Sequence, residues 1–202
     1  MIKLLIAEDM HLIRGALVAL LNQEDDLSVV AEVERGDLIV DAVARHRPDV
    51  ALIDIDLPGL DGISAAALVR QQQPECQVLI VSGHGQPGTL RRALSARVSG
   101  YLLKDSPPRD LAQAVRKVHA GQRAIDPHLA MMAWEGPESP FTTREAEVLQ
   151  LAAQGAPAAE IASLLSLSVG TVRNYLASIV SKTNGRNRVD AIRIAEDSGW
   201  LV

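Results

Sequence analysis

The segment PDVALIDIDLPG, residues 48–59, decides the fold. Its apolar run Val50–Ile53 lacks the alternation of apolar and polar residues that marks a strand with one exposed face. A continuous run of this kind is typical of a strand that is covered on both faces in a parallel sheet. Because the run ends at Asp54, the segment predicts a carboxylate at the carboxyl end of a buried parallel strand.

Similar apolar runs recur before Gly121 and are separated by helical segments. The strands are predicted at Lys3–Ala7, Ser28–Val33, Val50–Ile53, Gln77–Val81 and Gly100–Leu103. The helices are predicted at His11–Gln23, Asp37–His46, Gly62–Gln72, Thr89–Ala96 and Asp110–Ala120. Five strands that alternate with five helices predict a doubly wound α/β fold around a parallel sheet. We assign this first domain to residues 1–122.

The pattern changes after Gly121. Residues 123–140 contain several prolines and are interpreted as a connector with one short helix, Pro127–Trp134. Thr142-Thr143-Arg144-Glu145 is a capping box, which marks the start of a helix. Helices are predicted at Arg144–Gln154, Ala158–Leu165, Val169–Lys182 and Arg188–Ser198. Residues 141–202 are therefore predicted to form an all-α domain, in which the middle two helices are a helix-turn-helix.

Composition bears on the location of the protein. Cys76 is the single cysteine, so the chain forms no intrachain disulfide, as expected in a reducing cytoplasm. No signal peptide is recognisable before Glu8-Asp9. No apolar stretch approaches the ~20 residues that span a membrane. We therefore expect a cytoplasmic protein without membrane insertion.

The charge is unevenly distributed. The formal net charge is −5, which is unusual for a protein that binds nucleic acid. Between Ile161 and Arg193, however, five basic residues accompany one acidic residue, Asp190, and give a net charge of +4. The basic residues are Arg173, Lys182, Arg186, Arg188 and Arg193. The helix-turn-helix is therefore the part of the chain that suits a phosphate backbone.

Acidic residues gather at strand ends in the first domain. Glu8-Asp9 follows the first strand, and Asp54 follows the third. If these strands are neighbours, their carboxylates meet at the sheet edge where ligands bind. Three such carboxylates repel one another and need a cation, and oxygen ligands suit Mg²⁺. Asp54 would then attack a phosphoryl donor, while Ser82 and Lys104, at the ends of the fourth and fifth strands, suit a bound phosphoryl group.

These residues, with Tyr101-Leu102-Leu103-Lys104, resemble the receiver domain of response regulators. The resemblance implies a flavodoxin-like (βα)5 fold and a phosphoryl group donated by a sensor histidine kinase. It makes Asp54 the phosphoacceptor, Lys104 its ion-pair partner, and Ser82 and Tyr101 a switch pair. It assigns Mg²⁺ to the side chains of Asp9 and Asp54, the backbone carbonyl of Asp56, and Glu8 through water. The alternative is a phosphatase of the haloacid-dehalogenase type, whose nucleophile motif resembles Asp54-Ile55-Asp56, but that motif usually lies near the chain start.

The second domain resembles the LuxR-type helix-turn-helix through residues 141–149, Glu160-Ile161-Ala162 and residues 171–175. Together the domains resemble the NarL/FixJ family. Residues 102–107, residues 170–175 and Gly199-Trp200 resemble in detail the membrane-fluidity regulators of that family, which implies a regulator of membrane-lipid desaturation genes. Val172, Leu176 and Ile179 form the predicted inward stripe of the second helix. The predicted DNA contacts are Thr171 on a phosphate, Arg173 and Asn174 on base edges, Ala177 on the outward face, and Lys182, Arg186 and Arg188 on the backbone.

Phosphorylation is predicted to drive formation of a homodimer through the receiver. The proposed surface is an apolar strip shared by the first and fifth helices, outside the first helix's expected inward stripe of Leu12, Ala16, Ala19 and Leu20. Its residues are Ile13, Leu17, Leu111, Val115 and Val118. The fourth helix, around Leu90 and Leu94, is an alternative surface. An adaptor whose receiver only binds proteins is the alternative function.

Overall fold

The computed structural model describes residues 1–126, 129–131 and 139–201. The chain divides into two compact units, one of residues 1–85 with 92–130 and one of residues 86–91 with 131–202. Among the described residues, no helix is both long enough and apolar enough to cross a membrane.

The first unit is built on a parallel sheet. Its strands are β1 Ile2–Ala7, β2 Leu27–Val33, β3 Val50–Ile53, β4 Gln77–Ser82, β5 Gly100–Leu103 and β6 Ala124–Ile125. They pair in the order β2-β1-β3-β4-β5-β6, and every pairing is parallel. All four residues of β3 are buried, as its continuous apolar run predicted. Because β1 lies between β2 and β3, the strand order reverses beside β1, and ligands bind at such a point in α/β sheets.

Helices follow the strands and confirm the doubly wound pattern. They are α1 His11–Leu21, α2 Ile39–His46, α3 Gly62–Gln72, α4 Pro87–Ser95 and α5 Pro108–His119. A short 3-10 helix, Gly36–Leu38, precedes α2. Asp61 caps α3, because its carboxylate accepts hydrogen bonds from the amides of Ile63 and Ser64 at 3.1 Å.

The sixth strand was not predicted. Ala124 and Ile125 fall within the connector predicted from the sequence, but they pair with Gly100 and Tyr101 of β5. A Cβ atom on Gly100 would lie 2.9 Å from the carbonyl oxygen of Ala124, so glycine allows this close pairing. Two residues are too few to show a strand periodicity. The connector helix expected at Pro127–Trp134 falls mostly outside the described residues, of which Leu129–Met131 are helical.

The predicted dimerisation strip is wrong for α5. Leu111, Val115 and Val118 are buried in the core of the first unit, where they form the inward stripe of an amphipathic helix. Leu17 packs against the same core, and Ile13 is half-buried. The inward face of α1 was also misplaced, because Leu12 is 85% exposed. A helical period identifies which side chains share a face, but several apolar faces were possible on α1.

The second unit is helical. Its helices are α6 Thr143–Ala153, α7 Ala158–Leu165, α8 Val169–Thr183 and α9 Arg188–Asp197. The capping box predicted at the start of α6 is present, with reciprocal hydrogen bonds between Thr142 and Glu145. Ser168 caps α8 by accepting a hydrogen bond from the amide of Thr171. The core contains side chains from all four helices, including Val148, Leu149, Ile161, Val172, Ile179 and Ala195.

Candidate functional site

Three carboxylates meet at the carboxyl ends of β1 and β3. Glu8, Asp9 and Asp54 each offer an oxygen, and these atoms lie within 4.8 Å of one another. The strand register brings them together, because Ala7 pairs with Ile53 and the amide of Asp54 donates to the carbonyl of Ala7 at 2.9 Å. Glu8 and Asp54 are 1% and 4% exposed, whereas Asp9 is exposed. The pocket therefore opens to solvent on the side of Asp9.

Lys104, at the end of β5, enters the same pocket. Its Nζ atom lies 2.8 Å from Oε2 of Glu8 and 2.9 Å from Oδ2 of Asp54. Burial alone would lower the pKa of Lys104, but hydrogen bonds to the two carboxylates outweigh burial and raise the pKa. The ammonium is thus charged, yet one positive charge faces three carboxylates. An all-oxygen group with excess negative charge fits a hard divalent cation such as Mg²⁺.

The backbone around Asp54 is tightly packed. The amide of Ile55 donates to Oδ1 of Asp54 at 2.8 Å. Gly62, the first residue of α3, lies so close that a Cβ atom there would be 1.8 Å from the carbonyl oxygen of Asp54. No sequence pattern marks Gly62, because its close approach to Asp54 depends on the packing of α3 against the end of β3.

Ser82 and Tyr101 meet at the loop after β4. Ser82 is fully buried, and its Oγ accepts a hydrogen bond from the amide of His84 at 3.0 Å. The buried hydroxyl of Tyr101 donates to the carbonyl of His84 at 2.5 Å. Burial raises the pKa of Tyr101 to about 12. The two residues of the predicted switch pair are therefore joined through His84, and the tyrosine ring already lies inside the protein.

Asp56 points its side chain away from the three-carboxylate group. Its Oδ2 lies 2.7 Å from Nε2 of His84, and both side chains are substantially exposed. This pairing links the loops after β3 and β4 at the edge of the pocket. No local pattern could reveal it, because the two residues are separated by 28 positions.

The side chains predicted to contact DNA bases lie on α8. Gly170, Arg173, Asn174 and Ala177 are exposed, while Val172 and Ile179 are buried as predicted. Thr171 is half-buried, and its hydroxyl lies 2.8 Å from Oγ of Ser168. The helix therefore presents a narrow outward stripe near its N-terminus.

Arg188 makes contacts within the second unit that were not predicted from the sequence. Arg188 is predicted from the sequence to contact the DNA backbone, and in the structure its Nη2 donates to the carbonyls of Ala152 and Ala156 at 2.8 and 2.9 Å. Ala152 lies in the last turn of α6, and Ala156 lies in the segment between α6 and α7. Arg188 therefore ties α9 to α6. The sequence could not show this, because the partners are backbone atoms 36 and 32 positions away.

Most other basic side chains of the second unit are also paired. Lys182 lies 2.6 Å from Oε2 of the buried Glu145. Arg186 and Arg193 both bind Asp190, and Arg144 binds Glu147. Among the described residues 139–201, Arg173 is the only basic side chain that has neither a hydrogen bond nor an ion pair. The net charge of +4 therefore overstates the number of cations that are free to bind DNA.

Two family models match the chain. Residues 4–116 match the response regulator receiver domain, and residues 139–195 match the bacterial regulatory proteins of the luxR family. The chain therefore belongs to the response regulators that carry a LuxR-type DNA-binding domain. This confirms the family that its sequence resembles and identifies a transcription regulator rather than an enzyme.

Known proteins resemble the chain over its full length. The transcriptional regulatory protein DesR of Bacillus subtilis strain 168 is 43% identical over 201 residues, which cover 100% of each chain. The response regulator RamR of Streptomyces coelicolor is 41% identical and covers 99% of this chain and 98% of its own. RcsB from Salmonella enterica serovar Typhimurium, solved with the promoter rprA and phosphomimetic BeF3−, has a TM-score of 0.70 at 24% identity, with 100% of both chains covered. The RcsB match supports the fold.

Proposed function

We propose that this response regulator accepts a phosphoryl group on Asp54 from a sensor histidine kinase and, in the phosphorylated state, binds DNA as a homodimer. The observation that carries the proposal is the pocket in which Asp54 lies with Glu8, Asp9 and Lys104. A nucleophilic carboxylate, an oxygen-ligand set and a charged amine are the groups that phosphoryl transfer to aspartate requires.

A divalent cation fits the carboxylates, and the side chains of Asp9 and Asp54, the carbonyl of Asp56 and, through water, Glu8 would hold it. Bound Mg²⁺ would neutralise charge on the transferring phosphoryl group. A carboxylate oxygen of Asp54 forms the new bond to phosphorus. The bond from phosphorus to the donor histidine breaks, and its electron pair leaves with the imidazole nitrogen. Lys104, already 2.9 Å from Asp54, then pairs with a phosphoryl oxygen.

Labelling by acetyl phosphate with Mg²⁺ tests the acceptor. Intact-mass measurement should show one added phosphoryl group on the wild-type protein and none on Asp54→Asn. Asp56→Asn is the matched control and should retain the label, because its side chain lies outside the three-carboxylate group. Label that persists on Asp54→Asn would contradict the assignment.

DNA binding is proposed for the outward stripe of α8. Arg173 and Asn174 are exposed and suit base edges, since arginine pairs with guanine and asparagine with adenine. Thr171 suits a phosphate near the helix N-terminus, and Ala177 lies on the same outward face. Two protomers would bind inverted or direct repeats whose half-sites are about one helical turn apart. Footprinting across a genome tests both the repeat and the proposed control of membrane-lipid desaturation genes.

The proposed homodimer is not assigned to the apolar strip on α1 and α5 that was predicted from the sequence. Leu111, Val115 and Val118 are buried in the core, and Leu90 of the alternative surface on α4 is buried as well. Mass measurement with and without beryllofluoride, which mimics the acyl phosphate, tests the association itself. An unchanged mass at micromolar concentrations would contradict dimerisation on phosphorylation.

A further inference from the structure

We propose that Arg14 is a positioning residue for the metal-binding carboxylates. Its guanidinium holds the loop that carries Glu8 and Asp9 in the arrangement that binds Mg²⁺. The inference rests on the proposed function of the acidic pocket and adds a residue that the receiver resemblance did not supply.

Arg14 reaches from α1 back to the end of β1. Its side chain is 14% exposed, and its Nη1 donates to the carbonyl oxygen of Glu8 at 2.7 Å. Its Nη2 lies 2.6 Å from Nδ1 of His11. A largely buried guanidinium that donates to a backbone carbonyl fixes the direction of that peptide.

The guanidinium is itself held by the end of β2. Its Nε lies 3.5 Å from Oε2 of Glu32, and its Nη2 lies 3.7 Å from Oε2 of Glu34. The amide of Glu8 also donates to the carbonyl of Val33 at 3.1 Å. The loop after β1 is therefore tied to the neighbouring strand twice, once through its backbone and once through Arg14.

The peptide that Arg14 holds joins Glu8 to Asp9, and the two carboxylates differ in what else holds them. Glu8 contacts Lys104 at 2.8 Å and accepts a hydrogen bond from the amide of Met10 at 3.2 Å. The exposed side chain of Asp9 has no hydrogen bond or ion pair within the described part of the chain. The position of the Asp9 carboxylate therefore depends on its backbone, which Arg14 orients.

If Arg14 acts only through its charge, its removal should strengthen Mg²⁺ binding, whereas if it positions the ligands, its removal should weaken Mg²⁺ binding. Arg14 is a cation near the pocket, so its loss would by charge alone strengthen the binding of Mg²⁺. Loss of positioning would instead weaken binding, and residues that orient metal ligands typically change affinity by about 10- to 100-fold. The sign of the change in Kd thus separates the two roles.

Calorimetric titration of the full-length protein with MgCl2 measures this sign. Arg14→Ala should raise the Kd about tenfold, at the lower end of the range for such residues. Arg14→Lys should give an intermediate Kd, because an ammonium can donate to the Glu8 carbonyl but lacks the planar fork. Arg116→Ala is the matched control: it removes a guanidinium paired with Glu24 and Asp26 at 2.6 Å, and the Kd should not change.

A second readout separates positioning from general damage. The rate of Asp54 labelling by acetyl phosphate is measured against Mg²⁺ concentration for the same variants. Arg14→Ala should need more Mg²⁺ for half of its maximal rate but reach the wild-type maximum, because Asp54 and Lys104 are intact. A lower maximum with an unchanged Mg²⁺ requirement would overturn the inference, as would equal weakening by Arg116→Ala.

The remaining outcomes distinguish this inference from the proposed function. If the wild-type protein binds Mg²⁺ and Arg14→Ala binds it equally or more tightly, the positioning role is wrong and the proposed function stands. If the wild-type protein does not bind Mg²⁺, both the proposed function of the pocket and the role of Arg14 are overturned.

Discussion

The buried Glu145 should control the stability of the DNA-binding unit. Its carboxylate is 4% exposed and accepts hydrogen bonds from the amide of Thr142, the hydroxyl of Ser178 and the ammonium of Lys182 at 2.7, 2.6 and 2.6 Å. These contacts join the start of α6 to the middle and end of α8. Burial alone would raise the pKa of Glu145, but the hydrogen bonds outweigh burial and lower it to about 2.

The lowered pKa sets the size and the pH dependence of the effect. A carboxyl with a pKa of 4.5 when unfolded and about 2 when folded contributes at most about 3 kcal/mol. Because the folded-state value is the lower one, this stabilisation is complete above about pH 4.5. It is lost as the pH falls towards 2. Glu145→Gln keeps the side-chain shape but loses the charge-assisted bonds, so it should cost about 2 kcal/mol at pH 7.

Urea unfolding monitored by tryptophan fluorescence measures this cost. Trp200 packs edge-on against Phe141 with ring centroids 5.7 Å apart, and it reports on the second unit. The chain has two tryptophans, so a Trp134→Phe background isolates this signal. Glu147→Gln, which removes an exposed i,i+3 ion pair, is the control and should cost less than about 0.5 kcal/mol. Equal unfolding free energies for the two variants at pH 7 would refute the reasoning.

Asn174, Arg188 and Gly62 each give one further prediction. Asn174→Ala should cost about 1–3 kcal/mol on the specific site and little on random DNA, and equal losses in a binding titration would make Asn174 a backbone contact. Arg188→Ala should lower the unfolding free energy by about 1–3 kcal/mol and leave the salt slope of DNA binding unchanged; a slope smaller by about one unit would restore its predicted phosphate contact. Gly62→Ala should destabilise the receiver unit by about 1–3 kcal/mol in thermal unfolding, because the new Cβ atom would collide with the carbonyl oxygen of Asp54. An unchanged melting temperature would show that α3 can shift to make room.

The sequence by itself determined the elements whose signals are local. Each of the five longer strands contains a run of apolar residues, and Asp54 directly follows the run of β3. The acidic pocket could therefore be placed at the carboxyl edge of the sheet. The capping box at Thr142 marked the start of α6 to within one residue, because its bonds join positions three apart. The inward stripe of α8 followed from the helical period.

The tertiary structure alone decided which partners those elements meet. Ala124 and Ile125 form a strand that is too short to show a periodic pattern in the sequence. Their pairing with β5 also depends on Gly100 of that strand, because a Cβ atom there would crowd the carbonyl oxygen of Ala124. The burial of the α5 stripe depends on which helix face meets the sheet. Arg188 was assigned to DNA by its charge, yet its partners are backbone carbonyls more than 30 positions away. Periodicity and capping act between residues a few positions apart, whereas such contacts exist only after the chain has folded.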